Sequence, residues 1–279
     1  MKIAIAGAGV MGSGIAICSA QSGYKTLVYD LHEEALEKSR AYIEAQLSKG
    51  VERGKLSEET KTIALGNLSF SSKSEDLIAD LVLEAIVEKL EIKQAFFKQV
   101  EAINSPETIL ASNTSSIPIT QIGASLENKS RFVGVHFFNP AHIMKLVEII
   151  SGVETDSDIA KKAYDWAASV GRTPVYAADS PGFIVNRVAR HFYVESFKVE
   201  EEKVGSVEAI DRLMEASGFK MGPFRLMDLI GVETNYSVTN SMFEQFKYDA
   251  KFRPSRLQKQ MADAGLHGRK TKKGFYDYS

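Results

Sequence analysis

Lys2-Ile3-Ala4-Ile5-Ala6-Gly7-Ala8-Gly9-Val10-Met11-Gly12-Ser13-Gly14 is the stretch whose reading decides the fold. Ile3 to Ala6 is a short apolar run of the kind that forms a strand buried on both faces. Gly7, Gly9 and Gly12 then fall on the G-x-G-x-x-G spacing, and Ile15 to Ala20 reads as a helix ending near Gly23. Strand, glycine turn and helix, in that order, form the context in which this spacing binds a dinucleotide. Gly7 permits the tight turn, Gly9 lets the backbone approach a pyrophosphate, and Gly12 lets the helix pack on the strand. Ala8, Val10 and Met11 complete the turn, whose N–H groups and positive helix end face that anion.

The second half of the fingerprint follows. Thr26-Leu27-Val28-Tyr29 reads as a second strand, and Asp30 stands at its end, 18 residues after Gly12. A carboxylate there accepts bonds from the adenosine ribose hydroxyls and repels a 2′-phosphate. Leu31 and His32 supply no arginine to hold such a phosphate. The expected cofactor is NAD and not NADP. A nucleotide-free α/β unit with a glycine-rich turn is the competing reading, and the completeness of the fingerprint weighs against it.

Bulk properties narrow the function classes. The 279 residues suit one large or two ordinary domains. A net charge of −2 argues against nucleic acid as main partner, because phosphate binding needs a strong basic field. No run of about 18 apolar residues exists to span a membrane. The first strand begins at Lys2, which is expected to leave no room for a signal or transit peptide. The single Cys18 excludes an internal disulfide and supplies no metal cluster. A reducing, cytoplasmic setting is the expectation.

Glu33 to about Arg53 reads as a long helix with Leu36, Ile43 and Leu47 on one face, and Ser57 opens a second helix to Leu65. The basic cluster Lys49, Arg53 and Lys55 at that turn either grips substrate phosphates or is a solvated helix end. Strands are expected at Leu68–Phe70, Leu81–Ala85, Thr108–Ala111, Arg131–His136, Met144–Ile150 and Thr173–Tyr176, with helices beginning at Glu88 and Ser157. Ser112 to Ser116 follows a buried strand, where such sheets bind ligands. At Asp179-Ser180-Pro181-Gly182 the character changes: Ser180 is expected to cap a helix and Pro181 to occupy its first turn. Ile184, Val188 and Phe192 recur every fourth residue, and helical candidates continue to the tail. The expected architecture is α/β: a mostly parallel Rossmann-type sheet domain over 1–180, then an all-helical domain over 181–279.

A dinucleotide site implies hydride transfer, and alcohol oxidation needs a group to take the proton. Among five histidines, His136 closes a strand on the crevice side, and imidazole exchanges protons near neutrality. A carboxylate that orients it would improve the base. Glu148 stands at the end of the adjacent strand, and a hairpin between them is compatible with contact. Either residue alone also fits a structural role.

Several blocks together resemble the L-3-hydroxyacyl-CoA dehydrogenase family. They include Gly7 to Gly12, Glu84-Ala85-Ile86-Val87-Glu88, Ala111 to Ser116, His136-Phe137-Phe138-Asn139-Pro140, Met144 to Glu148, Asp179 to Arg187, Met221-Gly222-Pro223-Phe224 and Gly274-Phe275-Tyr276. The match runs in order from first strand to tail, and the length suits the short single-function branch acting on 3-hydroxybutyryl-CoA. The resemblance implies NAD-dependent oxidation of (S)-3-hydroxyacyl-CoA to the 3-ketoacyl-CoA, and its reverse. It implies His136 as general base with Glu148 its partner, and Ser115 and Asn186 on the substrate's 3-oxygen. It places Glu88, Lys93, Ser115, Asn139 and Lys270 around the nicotinamide half of the cofactor, involves no metal, and makes the helical domain a homodimer interface. Gln46 and Arg53 stand where the family often has Ser and Lys against CoA, which tilts the basic cluster toward substrate binding. His142 replaces a frequent Pro, and Lys272 a usual Gly. A 3-hydroxyadipyl-CoA or sugar-acid dehydrogenase is the alternative within the superfamily, and a dicarboxylic substrate would need an extra cation that sequence alone does not place. A silent NAD-binding relative would be expected to have lost His136, Glu148 or Asn186.

Overall fold

The apolar run near the amino terminus forms β1 (Lys2–Ala6), buried from Ile3 onward. In the computed structural model, which describes Met1–Ser279, α1 (Val10–Gln21) leads from the glycine turn to β2 (Lys25–Tyr29). β1 pairs in parallel with β2, Ile5 opposite Val28. Two helices in series, α2 (Glu33–Glu52) and α3 (Glu58–Asn67), separate β2 from β3 (Leu68–Ser71). Leu36, Ile43 and Leu47 of α2 are buried, as their periodicity requires. Ser57 caps α3 by accepting from Thr60 N. The chain then crosses to β4 (Leu81–Glu84), α4 (Leu90–Ile103) and β5 (Ile109–Ser112).

A short helix, α5 (Ile119–Gly123), has no counterpart in the sequence reading. Its first N–H groups, on Ile119 and Thr120, donate to the two carboxylate oxygens of Asp179 at 2.9 and 2.8 Å. The cap comes from about 60 residues downstream, so no local pattern announces it. β6 (Phe132–Phe137), β7 (Leu146–Ser151), α6 (Ser157–Ser169) and β8 (Thr173–Ala178) complete the first unit. The sheet order is β3-β2-β1-β4-β5-β6-β7-β8. Strands run parallel from β3 to β6; β7 is antiparallel to β6 and parallel to β8. The order reverses between β1 and β4, and ligands bind doubly wound sheets at the strand carboxyl ends beside such a reversal.

The chain divides into two units, Met1–Ser180 and Pro181–Ser279. The second contains α7 (Val185–Glu201), α8 (Val207–Ala216), α9 (Pro223–Ile230), α10 (Val232–Gln245) and α11 (Arg256–Asp263). The start of α7 corrects the sequence reading. Gly182 (φ 74°) and Phe183 (φ 49°) take the left-handed region, so the helix opens at Val185 and not at Pro181. Of the Ile184–Val188–Phe192 row, Val188 is 69% exposed and Phe192 packs against the core of this unit, to which Tyr193 and Phe197 belong. No helix is long and apolar enough to cross a membrane.

The tail is fixed by one buried carboxylate. Asp228 accepts from Phe275 N and Tyr276 N, both at 3.0 Å, and from Tyr278 Oη at 3.1 Å. A Cβ on Gly274 would fall 2.1 Å from Asp228 Oδ1, which accounts for glycine before Phe275-Tyr276. Lys272 adopts φ 59° and is exposed. Asp228→Asn turns one acceptor into a donor facing N–H or O–H groups. It is expected to cost about 2–3 kcal/mol, read as a lowered urea midpoint with an unchanged slope.

Candidate active site

The glycine turn has the stereochemistry a diphosphate needs. Gly7 adopts φ 105°, and a Cβ on it would fall 2.4 Å from Ala85 O. A Cβ on Gly12 would fall 1.8 Å from Gly7 O, so the helix can sit this close to the strand only with glycine. At Gly9 a Cβ would meet nothing within 4 Å, so its backbone borders open space. Gly9 is also the N-cap of α1 and offers no side-chain cap, which leaves the first-turn N–H groups of Val10, Met11 and Gly12 for an anion. Asp30 ends β2 beside this turn. Its Oδ2 accepts from Ala8 N at 2.9 Å and its Oδ1 from His32 N at 3.1 Å. Each oxygen keeps a lone pair for a ribose hydroxyl. The open face at Gly9, the uncapped helix and the terminal carboxylate fit a dinucleotide.

Across the reversal, a buried ion cluster organises the ligand-facing loop. Lys93 of α4 is 1% exposed and Glu84, the last residue of β4, 0%. Lys93 Nζ donates to Glu84 Oε1 at 2.5 Å and pairs with Glu88 Oε2 at 2.9 Å. Glu84 also accepts from Ser112 Oγ at 2.7 Å and Ile86 N at 2.8 Å. Burial raises the Glu84 pKa against the opposing pull of Lys93. Burial acts the same way on Glu88, but there Lys93 and the hydrogen bonds outweigh it and the pKa falls. Glu88 Oε1 accepts from Thr114 Oγ1 (2.5 Å), Ser115 N (3.1 Å) and Ser116 Oγ (3.1 Å), so one carboxylate shapes the whole serine-rich loop. Lys93 therefore lies behind the loop. Glu84 was missed in the sequence, although a carboxylate between Leu81-Val82-Leu83 and Ala85-Ile86-Val87 demands a buried partner.

His136 and Glu148 meet without any folding back. Glu148 lies inside β7, not at its end, and the antiparallel register sets it directly opposite His136. His136 Nδ1 and Glu148 Oε2 are 2.7 Å apart, with the carboxylate 0% exposed and the imidazole nearly so. With Nδ1–H donated to the carboxylate, Nε2 is the nitrogen that accepts a proton. Phe138 packs on the ring at 4.5 Å, and Asn113 Oδ1 accepts from Phe137 N at 2.8 Å, tying the end of β6 to the loop after β5. Asn139, next in the chain, is exposed.

The remaining predicted residues divide between the two units. On α2, Gln46 is half-buried and Arg53 is its exposed C-cap, two turns apart on one face. His142 is half-buried, edge-on to Tyr42 at 6.3 Å, with Nδ1 buried and unpartnered. Burial and the Arg172 cation lower its pKa. In the second unit, Asn186 sits half-buried in the first turn of α7, and Lys270 pairs with Glu233.

Residues 2–180 match the family described as 3-hydroxyacyl-CoA dehydrogenase, NAD binding domain, and residues 182–278 the 3-hydroxyacyl-CoA dehydrogenase, C-terminal domain. A 3-hydroxyadipyl-CoA dehydrogenase from Escherichia coli is 43% identical over 278 residues, 99% of this chain but 58% of its own length. The chain thus spans little more than half of that relative. A probable 3-hydroxybutyryl-CoA dehydrogenase from Deinococcus radiodurans is 42% identical over the full length of both chains. Among solved structures, the (S)-3-hydroxybutyryl-CoA dehydrogenase of Ralstonia eutropha superposes with a TM-score of 0.96 at 37% identity, covering 100% of this chain and 99% of that one.

Proposed function

The chain belongs to the 3-hydroxyacyl-CoA dehydrogenase family, and from that premise we propose that it catalyses NAD-dependent interconversion of (S)-3-hydroxyacyl-CoA and 3-ketoacyl-CoA. The observation that carries the reading is the His136–Glu148 pair, 2.7 Å apart in register between β6 and β7. In the oxidising direction the bound nicotinamide supplies the hydride acceptor for C3. His136 Nε2 takes the 3-hydroxyl proton while Glu148 holds Nδ1–H and steadies the imidazolium. Ser115 and Asn186 hold the 3-oxygen, Ser115 being placed by its N–H bond to Glu88. Glu88, Asn139 and Lys270 line the nicotinamide half, with Lys93 acting from behind through Glu88. Asp30 and the turn from Gly7 to Gly12 bind the adenosine and diphosphate. Gln46 and Arg53 meet the CoA moiety. The helical unit serves as the homodimer interface, a role its exposed Val188, Leu213 and Phe219 would suit.

The test is the initial rate of NADH oxidation with acetoacetyl-CoA, run beside NADPH and beside free acetoacetate. Rapid turnover is expected only with NADH and the CoA ester. A preference for NADPH would remove the argument built on Asp30. Measurable NADH binding with no turnover of any acyl-CoA would shift the reading to a sugar-acid substrate or a silent NAD-binding protein.

A further inference from the structure

β5 and β6 separate just before the residues proposed to do the chemistry. Their parallel pairing ends at Ser112 opposite Gly134. β6 runs three residues further, to Phe137, still paired on its other side with β7 through His136–Glu148 and Phe137–Val147. On the β5 side, the backbone has turned into the serine-rich loop. Asn113 opens that loop, and its side chain spans the gap: Oδ1 accepts from Phe137 N at 2.8 Å.

The span is anchored at both ends. Asn113 N donates to Glu84 O at 2.8 Å, one step past the last β4–β5 pair, Glu84 opposite Ser112. Phe137 is 2% exposed, and a buried N–H has to find an acceptor. Because Phe137 N can only donate, the amide is fixed with its oxygen toward β6. Two hydrogen bonds in series therefore run from β4 through Asn113 to β6.

The segments joined in this way are the ones that would meet at the substrate's 3-oxygen. Phe137 is covalently next to His136, and Ser115 follows Asn113 by two residues. β6 is held from its far side by β7, with Glu148 on the imidazole. Glu88 gathers Thr114, Ser115 and Ser116 from the α4 side and makes no bond to β6. Glu88 thus shapes the loop, and the amide sets its place against the strand. We infer that Asn113 is a positioning residue, which fixes the distance between the Ser115 hydroxyl and His136 Nε2 so that both reach one oxygen. The inference rests on the proposed reaction. A displacement of about 1 Å at such a centre costs about 10²-fold in rate.

The test is a double-mutant cycle on kcat for acetoacetyl-CoA with NADH. Asn113→Ala is expected to lower kcat by about 10²-fold and to change KM less than about threefold, the pattern of an interaction realised only in the transition state. Asn113→Asp keeps an acceptor for Phe137 N in the same place and is expected to restore most of that loss. With Ser115 already replaced by alanine, Asn113→Ala is expected to cost less than about threefold more, since no hydroxyl remains to be placed. Urea midpoints on the same samples report what the bond contributes to the fold. A lowered midpoint with kcat unchanged would overturn the inference, being the signature of a bond that only supports the sheet. So would the same loss of rate with and without the Ser115 hydroxyl, or an Asn113→Asp rate no better than that of Asn113→Ala. No turnover of acetoacetyl-CoA by the wild-type protein would instead overturn the proposed reaction, and this inference with it.

Discussion

His136→Ala is expected to lower turnover of acetoacetyl-CoA by about 10²–10⁴, the contribution of a positioned general base, while leaving NADH affinity within about threefold because catalytic proton transfer and uniform binding separate in this way. The separation follows from where the residue sits. His136 is in β6, whereas the proposed diphosphate cradle is the β1–α1 turn, on the other side of β4 and β5 in the sheet order. Glu148→Gln retains a side chain of the same shape opposite the ring, but without charge to steady the imidazolium. It is expected to lower turnover in the same sense with NADH binding unchanged. NADH titration by fluorescence and steady-state rates on the same samples separate the two effects. Unchanged turnover in His136→Ala would take His136 out of the mechanism. The pair also depends on register. A slip of one residue between β6 and β7 would turn Glu148 to the opposite face of the sheet, so the proposed acid–base pair requires this register.

What could be read from the sequence was what is local. The glycine spacing, the apolar face of α2 and the Ser57 cap are each set by residues within two or three turns of one another, and each is found where its pattern puts it. The interval of 12 residues between His136 and Glu148 allowed contact without specifying register, since a hairpin of that length closes in several ways. The start of α7 was misread because Ser180-Pro181 is a sound helix opening, but the positive φ at Gly182 and Phe183 turns the chain first. Asp179 on the α5 terminus, Glu84 under Lys93 and Arg190 against α10 join distant segments by side-chain chemistry alone. Of these, Glu84 had a sequence signal in retrospect: it is a charge in the middle of an apolar row, which a fold tolerates only with a partner.

The buried cluster beneath the serine-rich loop supplies the largest expected effect on stability. Lys93→Met removes the cation between two carboxylates, one of them, Glu84, fully buried. Breaking such a pair from one side costs about 3–5 kcal/mol, because the remaining charge has no compensation. The deficit should also depend on pH in a defined sense. Burial already raises the pKa of Glu84 in the folded chain, and loss of Lys93 removes the main opposing influence. A carboxyl whose folded pKa exceeds its unfolded one holds its proton more tightly when folded, so stability falls as pH rises from the ordinary glutamate range through the folded pKa. Denaturation of Lys93→Met is therefore expected to show a smaller deficit near about pH 5 than near about pH 8. Adding Glu84→Gln to Lys93→Met removes the stranded charge while keeping an oxygen for Ser112 and Ile86. The double variant should recover a large part of the loss, a coupling of about 0.5–3 kcal/mol that a double-mutant cycle reads directly. A deficit independent of pH, together with additive single and double variants, would mean that Lys93 serves only as packing and that Glu88 shapes the Ser112–Ser116 loop without it.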